Sequence, residues 1–267
     1  MSRKPFLKWA GGKRWLADRS DFAIPEYSGR YIEPFLGGGA IFFSHLPKCS
    51  VLSDANARLI ETYAAIRDHC EDVVELLRSH HDLHCAEYYY YLRAQTIDTV
   101  IGRAAQFVYL NRACWNGLYR VNRKGEFNVP IGSKDWILSD DDDFLAISAA
   151  LANSELVAAD FESSIDRAQS GDLIFADPPY TVAHNFNGFV KYNEKIFSWN
   201  DQVRLSKALA RAVSRGAAVV STNADHPSVV DLYSSFAHLS HLARASVISG
   251  SRQGRRLTTE LLIVAGA

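Results

Sequence analysis

The sequence predicts an α/β fold with an inserted helical and hairpin block, and three observations predict it. First, Tyr31-Ile32-Glu33-Pro34-Phe35 reads as a strand that runs into Leu36-Gly37-Gly38-Gly39 and a helix from Ala40. That is the strand, glycine turn and helix that open a nucleotide-binding unit. Second, further short apolar runs recur as buried strands: Ser50-Val51-Leu52, Leu156–Ala159, Leu173–Ala176, Ala217–Ser221 and Leu261–Val264. Third, from about residue 61 to 150 the pattern changes to helices and a hairpin, so that block interrupts a single α/β domain made of 1–60 and 151–267.

The chain of 267 residues, 48% hydrophobic, is long enough to bury a substantial core. It has no run near the roughly 20 apolar residues of a membrane span and no apolar stretch after its basic start, so a cytoplasmic protein with no membrane partner is expected. Cys49, Cys70, Cys85 and Cys114 are scattered, without C-x-x-C or zinc spacing, which suits reduced thiols and no metal. His80, His81 and His84 lie in a polar stretch and read as a solvated surface. A net charge of −1 neither favours nor excludes nucleic acid, so only local charge segregation can speak to that partner.

In chain order, Phe6-Leu7-Lys8-Trp9-Ala10-Gly11-Gly12-Lys13-Arg14 comes first. Its two glycines let backbone approach a ligand between Trp9 and Lys13. It is no phosphate loop, because the upstream glycine is missing and Arg14 stands where Ser or Thr would be. Gly37 and Gly39 let the chain pass beneath a ligand with no Cβ in the way. Asp54, ending the second strand, stands where a ribose hydroxyl pair is accepted; equally, it could cap a helix over Ala55–Arg67. Helices follow to about His84, across Tyr88–Tyr91 and from Ile101 to Arg112.

The segment from Asn111 to Pro130 reads as a β-hairpin turning at Asn122-Arg123-Lys124-Gly125. Arg112, Arg120, Arg123 and Lys124 there outnumber one acid, Glu126, among amide and aromatic side chains, the groups that read base edges and touch phosphates. A solvated hairpin with charged edges would look the same. Asp140 to Asp143 reads as a helix start, and the glycine-rich basic stretch Ser249–Arg256 as a mobile loop.

The strongest chemical signal is Asp177-Pro178-Pro179-Tyr180 at the end of the run Leu173–Ala176. Two prolines fix φ and remove two donors, so the chain leaves the strand in a rigid extended turn. A carboxylate, carbonyls without competing N–H groups and one aromatic ring suit a planar substrate with an exocyclic amine. A proline turn whose acid caps something would be the unremarkable alternative.

With these residues in view, the chain resembles the Dam-like DNA adenine methyltransferases over nearly its full length. The resemblance is carried by Phe6 through Lys13, Glu33 through Gly39, Asp54, Asn111 through Pro130, and Asp177 through Tyr180, in the family's order. It implies a Rossmann-like methyltransferase sheet with an inserted DNA-recognition domain, S-adenosylmethionine as donor, and duplex DNA as partner. It implies cofactor positions at Trp9, Lys13, Phe35, Gly37, Gly39, Asp54 and Asp177, with Asp160 and Phe161 beside the cofactor's adenine. It implies a catalytic set of Asp177, Pro178, Pro179 and Tyr180, and DNA-facing positions at Lys8, Arg112, Trp115, Asn116, Leu118, Arg120, Asn122 and Lys124. A GATC-like target follows from the match over Asn116–Arg120. A monomer is expected, and a cognate restriction endonuclease is left open. Two departures stand out: Ala176 where relatives often carry a polar residue or cysteine, and the acids at 140–143 where some are basic. The alternatives are a methyltransferase acting on RNA or a protein amide, and a DNA-binding regulator without turnover.

Overall fold

The computed structural model describes residues 4–122, 125–183, 197–245 and 257–266, so Lys124, Arg123 and the stretch Ser249–Arg256 lie outside the described residues. Among the described residues there are seven strands: β1 (Tyr31–Glu33), β2 (Ser50–Asp54), β3 (Ser154–Ala158), β4 (Leu173–Ala176), β5 (Ala218–Ala224), β6 (His238–Ala245) and β7 (Leu257–Ala265). They form one sheet in the order β3-β2-β1-β4-β5-β7-β6. β1 pairs in parallel with β2 and β4, and β4 with β5, while β7 runs antiparallel between β5 and β6. All four residues of β4 are buried, which is why this strand reads as a continuous apolar run rather than an alternation. The expected Rossmann-like α/β sheet is present, and its strand order reverses between β1 and β4.

The helices are α1 (Arg14–Ala17), α2 (Ala40–His45), α3 (Ala57–Asp68), α4 (Cys70–Asp82), α5 (Ala86–Ala94), α6 (Val100–Ala113), α7 (Phe144–Leu151), α8 (Phe161–Ile165), α9 (Trp199–Ser214) and α10 (Pro227–Tyr233). None of the described helices is long and apolar enough to cross a membrane. Asn56, not Asp54, caps α3: its side chain accepts from the N–H groups of Arg58 and Leu59. The helical stretch expected from 61 to His84 is two helices, broken at His69, whose φ of −138° no helix tolerates. Ser198 and Asp201 form a capping box on α9, each side chain satisfying the other's backbone N–H.

The chain divides into two compact units. The first holds Met1–Phe22, Leu36–Lys48 and Asp54–Ala159; the second holds Ala23–Phe35, Cys49–Ser53 and Asp160–Ala267. The sequence division had placed residues 1–60 with 151–267. Aromatic packing explains why the amino-terminal segment and α2 group with the helical block. Phe6 meets Tyr63 edge-on with centroids 5.0 Å apart and Phe144 at 6.1 Å, while Phe43 stacks on Tyr63. Burying each such ring stabilises the fold by about 1.5–3 kcal/mol.

The expected hairpin is present in outline, with the N–H of Asn122 donating to the Glu126 carbonyl and that of Asn128 to the Arg120 carbonyl across the turn. Two isolated bridges, Cys114 with Ile131 and Val121 with Phe127, replace a ladder, and Trp115–Gly117 forms a 3₁₀ turn with Asn116 in the left-handed region at φ 56°. The histidines are not a solvated surface. His80 and His84 share hydrogen bonds of 2.7 Å with the hydroxyls of Tyr88 and Tyr109, and His81 Nδ1 accepts from the N–H groups of Ile137 and Leu138. The four cysteines are unpaired with one another, and no metal-holding cluster occurs among the described residues.

The acidic run does begin a helix: Asp143 caps α7 through the N–H of Ala146. Its neighbour Asp142 has a second role, accepting two hydrogen bonds from Arg112 and one from the N–H of Ser139. Burial alone would raise its pKa, but those bonds and the guanidinium charge outweigh it and hold the carboxyl below its ordinary range. Asp142→Asn should therefore cost about 1 kcal/mol of stability at neutral pH, since an acceptor remains but the charge does not. A depressed folded pKa gives stability that is complete above the unfolded value of about 3.9 and lost as pH falls through the folded one. Urea melts of both proteins should show a constant margin from neutral pH down to about pH 4, narrowing only below it. A margin that vanishes between pH 7 and 5 would assign the effect to another group.

Candidate active site

Ligands of an open parallel sheet bind beyond the carboxyl ends of the strands where strand order reverses. In the second unit that place lies between β1 and β4, registered as Tyr31 with Leu173 and Ile32 with Ile174. Each strand delivers one marked group there. β1 runs out through Glu33 and Pro34 to Phe35, and β4 runs out into Asp177, Pro178, Pro179 and Tyr180.

Asp177 is half-buried, and its Oδ1 accepts from the Thr222 hydroxyl at 2.7 Å. Thr222 is fully buried on β5, one residue beyond the Ser221 that pairs with Ala176. Ser221 in turn donates to the Ala176 carbonyl at 2.8 Å. Two neighbouring hydroxyls on β5 thus fix the end of β4 and its carboxylate. Tyr180 donates to Glu260 Oε2 at 2.6 Å, and Glu260 is 6% exposed on β7. Burial first, and then the charges of Asp177 and Glu260, raise the Tyr180 phenol well above its usual pKa, so at neutral pH it is a hydrogen-bond donor and not a phenolate.

Beside these lies an aromatic group. Phe35 stacks on Phe161 with centroids 5.3 Å apart, and Phe197 meets Phe35 edge-on at 5.6 Å. Asp160 caps α8 through the N–H of Glu162, and its carboxylate pairs with Arg204 at 2.8 Å. The Arg204 guanidinium also lies over the Phe161 ring, 4.8 Å from its centroid. Thr222, Phe197 and Glu260 escaped the sequence reading. A polar pair amid an apolar strand was the one available signal for Thr222, and nothing local marked the other two.

In the first unit the glycine turn is pinned from several sides. Asp54 Oδ2 accepts from the N–H of Gly37 at 3.0 Å, and its Oδ1 accepts from the N–H of Asn56 at 2.9 Å. Burial raises the Asp54 pKa, and the two backbone N–H groups only partly offset it. Tyr63 donates to the Gly37 carbonyl. Gly37 and Gly39 adopt φ of 47° and 66°, and a Cβ at Gly37 would stand 2.7 Å from Trp9 Cδ1, so glycine is required there. Trp9 stacks on Tyr119 at 5.3 Å, joining the amino-terminal motif to the loop after α6. Lys13 is buried and donates to the Gly11 carbonyl at 3.1 Å.

Of the DNA-facing expectations, Trp115 is 59% exposed, and Lys8 and Asn116 are also exposed. Lys8 packs over Gly117 and exchanges both backbone bonds with the Asn111 side chain. Leu118 and Arg120 are half-exposed; Arg120 Nε donates to Asn128 Oδ1 at 2.8 Å. Asn122 is occupied in its own turn with Glu126. Arg112 requires correction: it is 8% exposed, held by Asp142 and the carbonyls of Phe6 and Ile137, and serves the interior instead of a ligand surface.

Comparison with known proteins fits this geometry. The family profile described as D12 class N6 adenine-specific DNA methyltransferase matches residues 9–247. The chain is 36% identical to the type II methyltransferase M1.LlaDCHI of Lactococcus lactis subsp. cremoris, covering 97% of this chain and 94% of that one. It is 35% identical to the type II methyltransferase M.MjaIII of Methanocaldococcus jannaschii, covering 84% and 85%. It is also 32% identical to a DNA adenine methylase of Vibrio cholerae, covering 97% and 95%. The chain, with an Asp-Pro-Pro-Tyr turn at the switch point of its sheet, belongs to the D12 class of N6 adenine-specific DNA methyltransferases.

Proposed function

We propose that the chain transfers a methyl group from S-adenosylmethionine to the exocyclic amine of an adenine flipped out of duplex DNA, at a GATC-like site. The observation that carries this reading is the Asp177 carboxylate held by Thr222 at the end of β4, with Tyr180 fixed three residues on. The donor suits the residues present. Phe35 and Phe161 offer an apolar face for its adenine, Asp160 precedes Phe161 at the start of α8, and Asp54 ends β2 where ribose hydroxyls are accepted. When bound, the donor supplies an activated methyl carried on a positively charged sulfur.

The chain's own work is positioning. An adenine amine is a poor nucleophile because its lone pair is delocalised, and flipping the base costs a few kcal/mol. The Asp177 carboxylate and the Pro178 carbonyl accept hydrogen bonds from the amine and draw it toward tetrahedral geometry. Pro179 keeps that loop from flexing, and the Tyr180 ring gives the base a stacking face. Trp9, Lys13, Gly37 and Gly39 shape the donor's cradle. Lys8, Trp115, Asn116, Leu118 and Arg120 face the DNA. The protein acts in the cytoplasm as a monomer.

Labelled methyl transfer from the same donor to duplex DNA, RNA and protein tests the reading. Label is expected on adenine in the duplex, and label on RNA or protein alone would refute it. For target reading, Arg120→Ala should relax discrimination at one base pair by about 1–3 kcal/mol, measured as relative binding to a set of single-substitution duplexes. Equal weakening on every duplex would place Arg120 on a phosphate instead.

A further inference from the structure

Glu260 is a carboxylate on a strand that no motif marks, buried to 6% exposure, with its Oε2 2.6 Å from the Tyr180 hydroxyl. Its place follows from the reversed strand. β7 pairs with β5 so that Glu260 lies opposite Ala224 and, on its other side, opposite Leu242 of β6. Two residues back along β5 is Thr222, whose hydroxyl holds Asp177. A buried charge is costly unless it is hydrogen-bonded, so an acid retained in this interior fixes the geometry of whatever donates to it.

We propose that Glu260 is a positioning residue for methyl transfer, which holds the Tyr180 ring at the angle where it receives the flipped base. This rests on the function proposed above. The loop then has two anchors from neighbouring strands: Thr222 of β5 on its acid, and Glu260 of β7 on its aromatic ring. The role proposed for Glu260 is exercised through the phenol. A hydroxyl needs an acceptor at a given reach, so the length of the side chain at 260 matters more than its charge.

Two conservative variants separate these properties. Glu260→Gln keeps an acceptor oxygen at the same reach and should retain kcat within about threefold. Glu260→Asp keeps the charge but withdraws the oxygen by one methylene. Because a misplacement of about 1 Å can cost up to 10²-fold, kcat should fall about tenfold while the KM for the donor stays within about twofold. In a Tyr180→Phe background, where no hydroxyl remains to be held, Glu260→Asp should change kcat by less than about twofold. Thermal melts of the four variants beside the parent confirm that each is folded. The inference is overturned if Glu260→Asp loses the same factor with Phe at 180 as with Tyr, or leaves kcat intact. It is equally overturned if Glu260→Gln, folded, loses as much as Glu260→Asp. A parent that methylates no duplex refutes the proposed function and this inference together, whereas an active parent with multiplicative losses refutes the inference alone.

Discussion

Asp177→Ala should lower methyl transfer by at least about 10²-fold, the loss typical of removing one positioned polar group from a site. The protein should remain folded. The side chain is only half-buried, and the partner it leaves behind, the Thr222 hydroxyl, is small. Duplex binding and donor binding should change much less than turnover, because the carboxylate is proposed to engage the amine chiefly once the base has left the helix. Single-turnover kinetics with saturating donor and DNA isolate that step. Turnover near that of the parent would mean that Asp177 merely terminates β4, and the amine would then have to be oriented by the Pro178 carbonyl alone.

The second large effect belongs to Asp54. Its carboxylate does not cap α3 but accepts from the N–H groups of Gly37 and Asn56, and the ribose-accepting role proposed for it lies at the same end of β2. Asp54→Ala should weaken donor binding by roughly 1.5–3 kcal/mol, the range for hydrogen bonds to a charged group. DNA affinity in the absence of donor should hardly change. Because burial raises the Asp54 pKa, its folded-state value lies above the unfolded one. Its contribution to stability is therefore complete at acid pH and lost as pH rises through the folded value, opposite in sign to that of Asp142. The alanine variant should accordingly be no less stable than the parent at neutral pH, apart from the loosened glycine turn. Calorimetry that finds unchanged donor affinity would leave Asp54 as the tether of Gly37 and nothing more.

The features legible in the sequence are those enforced by local backbone chemistry. Gly37 and Gly39 declare a turn because their φ lies where L side chains are rare and a Cβ would press on Trp9 at one and on Phe43 and Tyr63 at the other, and Pro178-Pro179 declares a rigid exit because two donors and two φ freedoms are gone. Their neighbours Asp54 and Asp177 become noteworthy by position alone. What stayed hidden depends on partners far along the chain. Arg112 looks like its basic neighbours until Asp142, 30 residues on, neutralises it in the interior. Glu260 looks like an ordinary strand acid, because the hydroxyl it accepts from is 80 residues upstream. Asn56 and Asp54 are equally good caps by residue type, and only the path of the chain decides between them. The hairpin is legible in its turn but not in its arms. Alternating residues specify strands only where a partner ladder forms, and here the arms pair at isolated points, Val121 with Phe127 and Cys114 with Ile131, while Asn111 and Gly117 are held against Lys8.

The reversed strand has a consequence in time. β1 and β4 are neighbours in the sheet but are separated by all the helices from α2 to α8, so their pairing closes a loop of well over a hundred residues and is slow. β7 comes later still in the chain, and the residue that steadies Tyr180 arrives with it. On a ribosome the helical block is made and can pack through local contacts long before the loop after β4 gains its last support. In synthesis the helical block would thus be packed while the turn after β4 still lacks its β7 acceptor, and the Tyr180 hydroxyl meets Glu260 only once β7 has been delivered.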